Sequence, residues 1–352
     1  MNEIIILGGL GLIMSLVLIL PMSVRWIEEE LEAFLLVMGI LAVSLARLWD
    51  WHLIKESLTE PVKISIAVLL FGFPFRWMRH RIHDYVSGLA RRLGLRLFLF
   101  ILVIGLGFVS SAITAIIAAL FLVEVVSVLQ MEKSKERALV ILACYSIGLG
   151  AVLTPVGEPL STIATAKLAG PPHDADFFFL ARLLWPWVTA GIALLALLAA
   201  GYVGPSVKLS ESLTQDKPED NRAIVLRAGK VYVFVAALVL LGRGFAPLVD
   251  RYLLQLTAPV LYWVNMISAV LDNATLAAAE ISPKMSLATI EYLLLGLLVS
   301  GGMLIPGNIP NIIAANKLGI QSRDWAKLAV PLGLVLMAFY FIFLQMAQRL
   351  GI

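Results

Sequence analysis

The sequence predicts an all-α polytopic membrane protein built from two inverted repeats, each with a re-entrant hairpin and a broken, unwound transmembrane helix. Three observations predict it. Hydrophobic residues make up 60% of the 352 and charged residues 14%, with a mean hydropathy of +0.93; a water-soluble chain carries about half apolar and a quarter charged residues. Four hydrophobic regions are too long for one crossing and cramped for two. Two distant stretches, LTPVGEPLSTIATAKL (Leu153–Leu168) and LIPGNIPNIIAANKL (Leu304–Leu318), interrupt such regions in the same way.

An ordinary crossing needs about 20 apolar residues, and simple spans read at 4–22, 31–49, 61–76, 180–204, 231–248 and 325–348. Met1-Asn2-Glu3 lacks the basic start of a signal peptide, so the first span reads as retained. The regions 97–130, 139–169, 252–281 and 287–318 would each form a helix of roughly 45–50 Å, against a hydrocarbon core of about 30 Å. Charge sorts them. Region 97–130 follows Arg79, Arg81, Arg91, Arg92 and Arg96 and precedes Lys133, Lys135 and Arg137. Lys and Arg collect on the cytoplasmic side, so both its ends lie there and it is a hairpin. Region 139–169 starts basic but leaves through PPHDAD (171–176), so it crosses. The basic segment 205–230 is then cytoplasmic, 252–281 is a hairpin from outside, and 287–318 crosses back.

The count is about eight full spans and two hairpins, with loops 77–96, 131–138 and 205–230 cytoplasmic in a cell membrane and both termini outside. This orientation places 18 of the 27 Lys and Arg residues inside, in keeping with the positive-inside rule. Residues 1–60 add two N-terminal spans; 61–204 and 231–352 each read as span, hairpin, broken span, span, joined by the linker 205–230. Three crossings per unit, an odd number, make the second unit inverted relative to the first.

Proline removes a backbone donor and glycine weakens a helix, so both motifs should unwind, at Thr154–Pro159 and Pro306–Pro310. Bare backbone at membrane depth is tolerated only where it is buried in protein or lines a cavity, and a matched pair of breaks in two halves points to a carrier's binding site. The hairpin turns correspond too: Ser110-Ser111-Ala112-Ile113-Thr114-Ala115 and Ser268-Ala269-Val270-Leu271-Asp272-Asn273-Ala274-Thr275, each followed 12–13 residues on by a glutamate, Glu124 or Glu280. Tips and breaks meeting at the midplane would gather Ser110, Ser111, Thr114, Thr154, Gly157, Glu158, Ser161, Asp272, Asn273, Thr275, Gly307, Asn308 and Asn311. Their hydroxyl, amide, carbonyl and carboxylate oxygens are hard ligands suited to Na⁺, with Asp272, Asn273, Glu158 and Asn308 the leading candidates. Plainer roles exist. Ser110 and Thr114 can bond their own helix carbonyls, Glu158 can cap the helix after its break, Asp272 can pair with Arg243, and His173 and Asp174 can be solvated loop residues.

The SAVLDNAT turn, together with the TPVGEP and PGNIPN breaks, resembles the ion transporter superfamily. That group includes NhaD-type sodium/proton antiporters, arsenite permeases and sodium-coupled dicarboxylate and citrate carriers; the nearest likeness is to a small prokaryotic branch assigned to cation transport. The resemblance covers roughly residues 61–348. It implies a hairpin tip and unwound loop forming a clamshell in each half, a homodimer, and elevator-like movement. The dicarboxylate branch carries Ser-Asn-Thr at both tips, whereas the first tip here has no asparagine and the second carries Asp-Asn, which favours a cation.

The leading expectation is a secondary active cation transporter exchanging Na⁺ for H⁺ by alternating access. A carboxylate kept from water holds a proton more readily, so proton and cation compete for the same oxygens. The alternative is a Na⁺-coupled symporter of a small organic or inorganic anion. No Walker sequence, nucleophile–base pair or metal-ligand spacing points to an enzyme, a bound cofactor or nucleic acid, and the lone Cys144 allows no internal disulfide. Expected partners are an inorganic cation, a proton, the bilayer and a second copy.

Overall fold

The computed structural model describes residues 3–24, 26–27, 30–129, 131–204, 221–252, 256–266 and 273–350. Ser268, Asp272 and the linker segment 205–220 fall outside the described residues; so do the side chains of Thr275 and of residues 71–84, among others within helices. Among the described residues no strand occurs, and the elements are α1 (Glu3–Ser23), α2 (Leu31–Ala46), α3 (Trp51–Leu93), α4 (Leu95–Ile113), α5 (Ala115–Leu129), α6 (Lys133–Ala151), α7 (Pro159–Lys167), α8 (Phe179–Leu198), α9 (Asn221–Tyr252), α10 (Ala258–Val264), α11 (Asn273–Glu280), α12 (Leu287–Gly301), a 3₁₀ turn (Ile305–Gly307), α13 (Ile309–Leu318) and α14 (Ser322–Leu350).

Hydropathy marks lipid-solvated stretches rather than helix ends, and the helices overrun it. The 61–76 span is the interior of α3, whose 43 residues make about 64 Å of helix, twice the hydrocarbon thickness. Asp50 caps its start, accepting from Leu53 N at 2.7 Å, and Gly94, at φ 75°, ends it. Likewise α9 starts at Asn221, ten residues before the apolar run. Region 97–130 is two helices divided at the single residue Thr114, and α4 alone, at 19 residues, has crossing length.

Four helical stretches among the described residues are long and apolar enough to cross a membrane: Leu95–Ile113, Phe179–Val203, Ala228–Leu248 and Ser322–Leu350. Ile5–Pro21, Leu31–Ala46, Ala115–Leu129 and Leu287–Gly301 are apolar but shorter. Leu12, Leu70, Leu197, Val335 and Ile342 turn outward, a distribution that suits lipid and not water. The chain is a helical membrane protein.

Two helices form the middle. α6 is buried without interruption from Ala138 to Ala151 and α12 from Tyr292 to Gly301, as helices apolar on every side must be, and they pack on each other. Around α6 stand α4 and α8; beside α12 stand α10 and α14. The short helices cross over: α13 lies against α5, and α7 against α11. α2 and α3 run along α9, where Gly39 faces Leu240 and Gly244 faces Ala42, so the backbones approach closely. A separate apolar cluster of Ile64, Ala119, Leu120, Ala228, Val231, Val235 and Ile313 joins α3 and α9 to α5 and α13.

Candidate functional site

α6 and α7 are the two parts of one interrupted helix. Pro155 supplies no donor and Gly157 stands so close to the Ala151 carbonyl that an added Cβ would overlap it. Pro159 then opens α7 at the position where its fixed φ suits a helix start. The second interruption runs through Gly302, the turn at Ile305–Gly307 and extended Asn308 (φ −155°, ψ 145°), with Pro310 in the first turn of α13.

The first hairpin turn and the first break are joined by hydrogen bonds. Thr154 Oγ1 donates to Ser111 O at 2.5 Å and Ala115 N to Gly157 O at 2.8 Å. Ser161 Oγ lies 2.7 Å from both Thr154 O and Glu158 O. Ser110 Oγ lies 2.6 Å from Gly107 O and 3.0 Å from Ile147 O, so it clasps α4 to α6, while Ser111 Oγ bonds back to Phe108 O at 2.7 Å. Between them Thr114 adopts φ 80°, ψ 147°, a conformation costly for a β-branched residue and typical of constrained sites. Its Oγ1 accepts from Ile117 N at 3.4 Å, at the start of α5.

The second half repeats the pattern with amides. Asn311, fully buried, donates from Nδ2 to Gly301 O at 2.9 Å and Leu304 O at 3.0 Å. Both partners are acceptors, so the amide orientation is fixed and its Oδ1 is a buried oxygen with no hydrogen-bond partner among the described residues. At the start of α11, Asn273 is buried, and its Nδ2 lies 3.7 Å from where a Cβ on Gly301 would stand, a position itself 3.0 Å from Gly307 O.

The two halves touch through Asn308. Its Nδ2 sits 2.8 Å from the position of an added Cβ on Gly148, in the last turns of α6, and Cys144 Sγ meets Pro310 O at 3.7 Å. Glu158 and Asn308 occupy matching places, each the N-cap of the helix after a break, each buried, and neither side chain caps its helix. The plain capping role for Glu158 therefore does not describe it. Among the described residues no group of three or more His, Cys, Asp and Glu gathers. The polar groups at the two breaks are amides, hydroxyls, carbonyls and Glu158, hard-oxygen groups that fit alkali or alkaline-earth cations better than zinc.

Other positions lie apart from the breaks. Lys317 Nζ is 2.9 Å from Glu124 Oε1. Arg243 pairs with Asp50 at 3.6 Å. His173 is held by the facing loop, its Nε2 2.9 Å from Met285 O. In that loop the Arg182 guanidinium, hydrogen-bonded to Asp176 at 2.8 and 3.1 Å, keeps the Asp176 carboxyl below its usual range. Sequence reasoning missed Gly148, Asn265 and Ser300. Asn265 is a lone amide in the apolar arm LYWVNMI, a signal that it is there for a partner; Gly148 carries no signal until Asn308 is seen against it.

Fold and site define a polytopic helical membrane protein with two unwound helix breaks, the second of which meets the last turns of α6. The chain belongs to the family described as a protein of unknown function, DUF1646, whose profile matches residues 7–347. No curated protein matches it.

Proposed function

We propose that this protein is a secondary active cation transporter that exchanges Na⁺ for H⁺, with residues 61–204 and 231–352 as inverted repeats and regions 97–130 and 252–281 as re-entrant hairpins. The observation that carries the reading is the meeting of hairpin turn and helix break in the first half, Thr154 to Ser111 and Gly157 to Ala115, matched in the second by Asn273 beside Gly301. Irregular backbone at that depth is tolerated only where it is buried in protein or lines a cavity, which a binding site supplies. The chain order helix, helix pair, interrupted helix, helix occurs twice, and the equivalent positions Ser161 and Asn311 both bond the carbonyl at the start of their break.

Sidedness supports the topology. Residues assigned to the cytoplasmic side contact one another: Arg137 with Asp324, Lys135 with Tyr202 O at 3.0 Å, Lys230 with Glu32 at 3.7 Å. Those assigned outside do likewise, His173 with Met285 O and Arg243 with Asp50. α4 and α6 climb side by side from one face, Ser146 Oγ bonding Val103 O and Ser110 Oγ bonding Ile147 O. Each runs 19 residues, roughly 28 Å, before the hairpin turn and the break that Thr154 joins to Ser111.

In this scheme Na⁺ takes oxygens of Asn311, Glu158, Asn308 and the freed carbonyls of the breaks, with Asp272, Asn273 and Thr275 from the second hairpin. Protonation of the carboxylates removes the charge the cation needs, so one set of ligands serves both ions in turn. The protein works in the cell membrane as a homodimer with residues 77–96, 131–138 and 205–230 cytoplasmic, much of them helical extensions of α3, α6 and α9. The test is dye-monitored proton flux in proteoliposomes on adding Na⁺, Li⁺, K⁺ or Ca²⁺, for the wild type, Asp272→Asn and Glu158→Gln. Cation-driven proton movement lost in both variants supports exchange. Absence of proton movement with every cation, alongside Na⁺-dependent anion uptake, overturns it in favour of a symporter.

A further inference from the structure

Each hairpin turn is followed by a glutamate, Glu124 or Glu280, and each helix after a break carries a lysine in its last turn, Lys167 or Lys317. Where α13 packs on α5, Lys317 and Glu124 form a largely buried ion pair at 2.9 Å. Where α7 packs on α11 the equivalent residues are arranged differently. Lys167 Nζ donates to Ile281 O at 3.2 Å, one residue beyond Glu280. Glu280, 1% exposed, instead accepts from the amide of fully buried Asn265, Nδ2 to Oε2 at 2.9 Å, and Asn265 is anchored through its carbonyl by Ser300 Oγ at 2.8 Å.

The other two oxygens of this pair, Glu280 Oε1 and Asn265 Oδ1, are buried and have no hydrogen-bond partner among the described residues. Two acceptors without a donor mark a site short of one hydrogen. A proton on Oε1 supplies it: the new O–H is a donor for Asn265 Oδ1, while Asn265 Nδ2 keeps its bond to Oε2. Asparagine is thus able to partner both protonation states.

We infer that Glu280 binds a proton, with Asn265 as its partner in both states and Lys167 as the cation that stabilises the carboxylate once the proton has left. On release the Glu280 O–H bond breaks, the proton passes to water at the adjoining 281–286 loop, and the Lys167 ammonium moves from Ile281 O to the carboxylate. Among the described residues, the other charged groups on elements packed against α11 are committed or exposed, save Glu158. Arg243 is on Asp50, Lys230 on Glu32, and Glu291 accepts from Trp187 Nε1 at 3.3 Å; Arg222 and Arg251 are exposed, and Glu158 lies at the far end of α7. In an exchanger Glu280 would carry a proton in addition to the one that competes with the cation at the carboxylates of the breaks. As the proton carrier of an exchanger Glu280 rests on the exchange reading; as a titrating carboxyl it does not.

The measurement is infrared difference spectroscopy of the purified full chain in Na⁺-free buffer on stepping the pH, which detects a protonated carboxyl without any transport. Wild type should lose a carboxyl band as pH rises, Glu280→Gln should lack that band, and Lys167→Gln should move its midpoint up by about one pH unit, a tenfold change in proton affinity. A titration unchanged in Glu280→Gln overturns the assignment. Should that variant not fold, an unmoved midpoint in Lys167→Gln overturns it equally. If the band behaves as stated but no cation drives proton flux, the exchange reading fails while the proton site stands.

Discussion

Replacing Gly148 by alanine tests whether Asn308 belongs to the site. Gly148 lies inside α6, and among the described residues, apart from the backbone of α6 itself, the one atom within 4 Å of an added Cβ is Asn308 Nδ2, at 2.8 Å. Ordinary carbon–heteroatom contact is about 3.5–4.0 Å, so the amide must retreat by roughly 0.7–1 Å. Binding constellations tolerate about 0.5 Å of displacement, so the apparent Na⁺ affinity should fall at least about tenfold, or ~1.4 kcal/mol. Folding should barely change, because removing a helix-interior glycine returns about 0.5–1 kcal/mol and the clash is with the free end of a side chain. Gly105→Ala, on α4 with nothing within 4 Å of the new methyl, is the control for that return. Two readouts settle it: the Na⁺-induced rise in Tm, which reports ligand binding to the folded state, and the half-saturating Na⁺ concentration for proton flux. Wild-type values in both for Gly148→Ala would refute the placement of Asn308 among the ligands.

Gly150→Ala should behave oppositely, since its Cβ would overlap the backbone carbonyl of Gly107 and backbone cannot step aside. Overpacking of at least about 1–3 kcal/mol should appear as a lowered Tm and aggregated protein on size exclusion. Lys317→Met leaves Glu124 largely buried without its ion-pair partner, at a cost of about 3–5 kcal/mol, and adding Glu124→Gln should return most of the lost Tm. Thr114→Gly relieves a left-handed φ of 80° and should raise Tm by the equivalent of about 1–3 kcal/mol; a lower Tm would mean that the bond from Ile117 N to Thr114 Oγ1 outweighs the strain.

The breaks were legible in the sequence because proline and glycine act locally. Pro155, Gly157, Pro306 and Gly307 unwind their helices wherever the rest of the chain goes, and α6 and α12 end where those residues require. Helix lengths were less legible. Hydropathy cannot see that α3 continues through a charged segment as far as Gly94, since arginines outside lipid are good helix formers. Least legible were contacts across the two halves. Glu124 and Lys317 are 193 residues apart, and nothing in either segment announces the other. The same holds for the hydroxyl roles: one serine at the first tip, Ser110, clasps two helices, whereas its neighbour Ser111 offers its carbonyl to Thr154.

The matching positions Glu158 and Asn308 allow a charge count that separates exchange from symport. Each sits at the N-terminus of a helix following a break, and a helix N-terminus carries about half a positive charge. Two such termini directed at one centre contribute about +1, which a single ionised Glu158 would cancel. A centre near neutrality has little reason to retain a bare cation and could equally accept an anion accompanied by one. A second negative charge changes that, and the sequence supplies it at Asp272, beside the buried Asn273. In the proposed exchanger, a centre with both carboxylates ionised would be net negative and hold a monovalent cation, and with either protonated it would be neutral and let the cation go. Asp272→Asn should therefore do more than remove a ligand. It should leave a centre that no longer distinguishes Na⁺ from no ion at all. A variant that still shows Na⁺-driven proton movement would mean that the countercharge resides elsewhere.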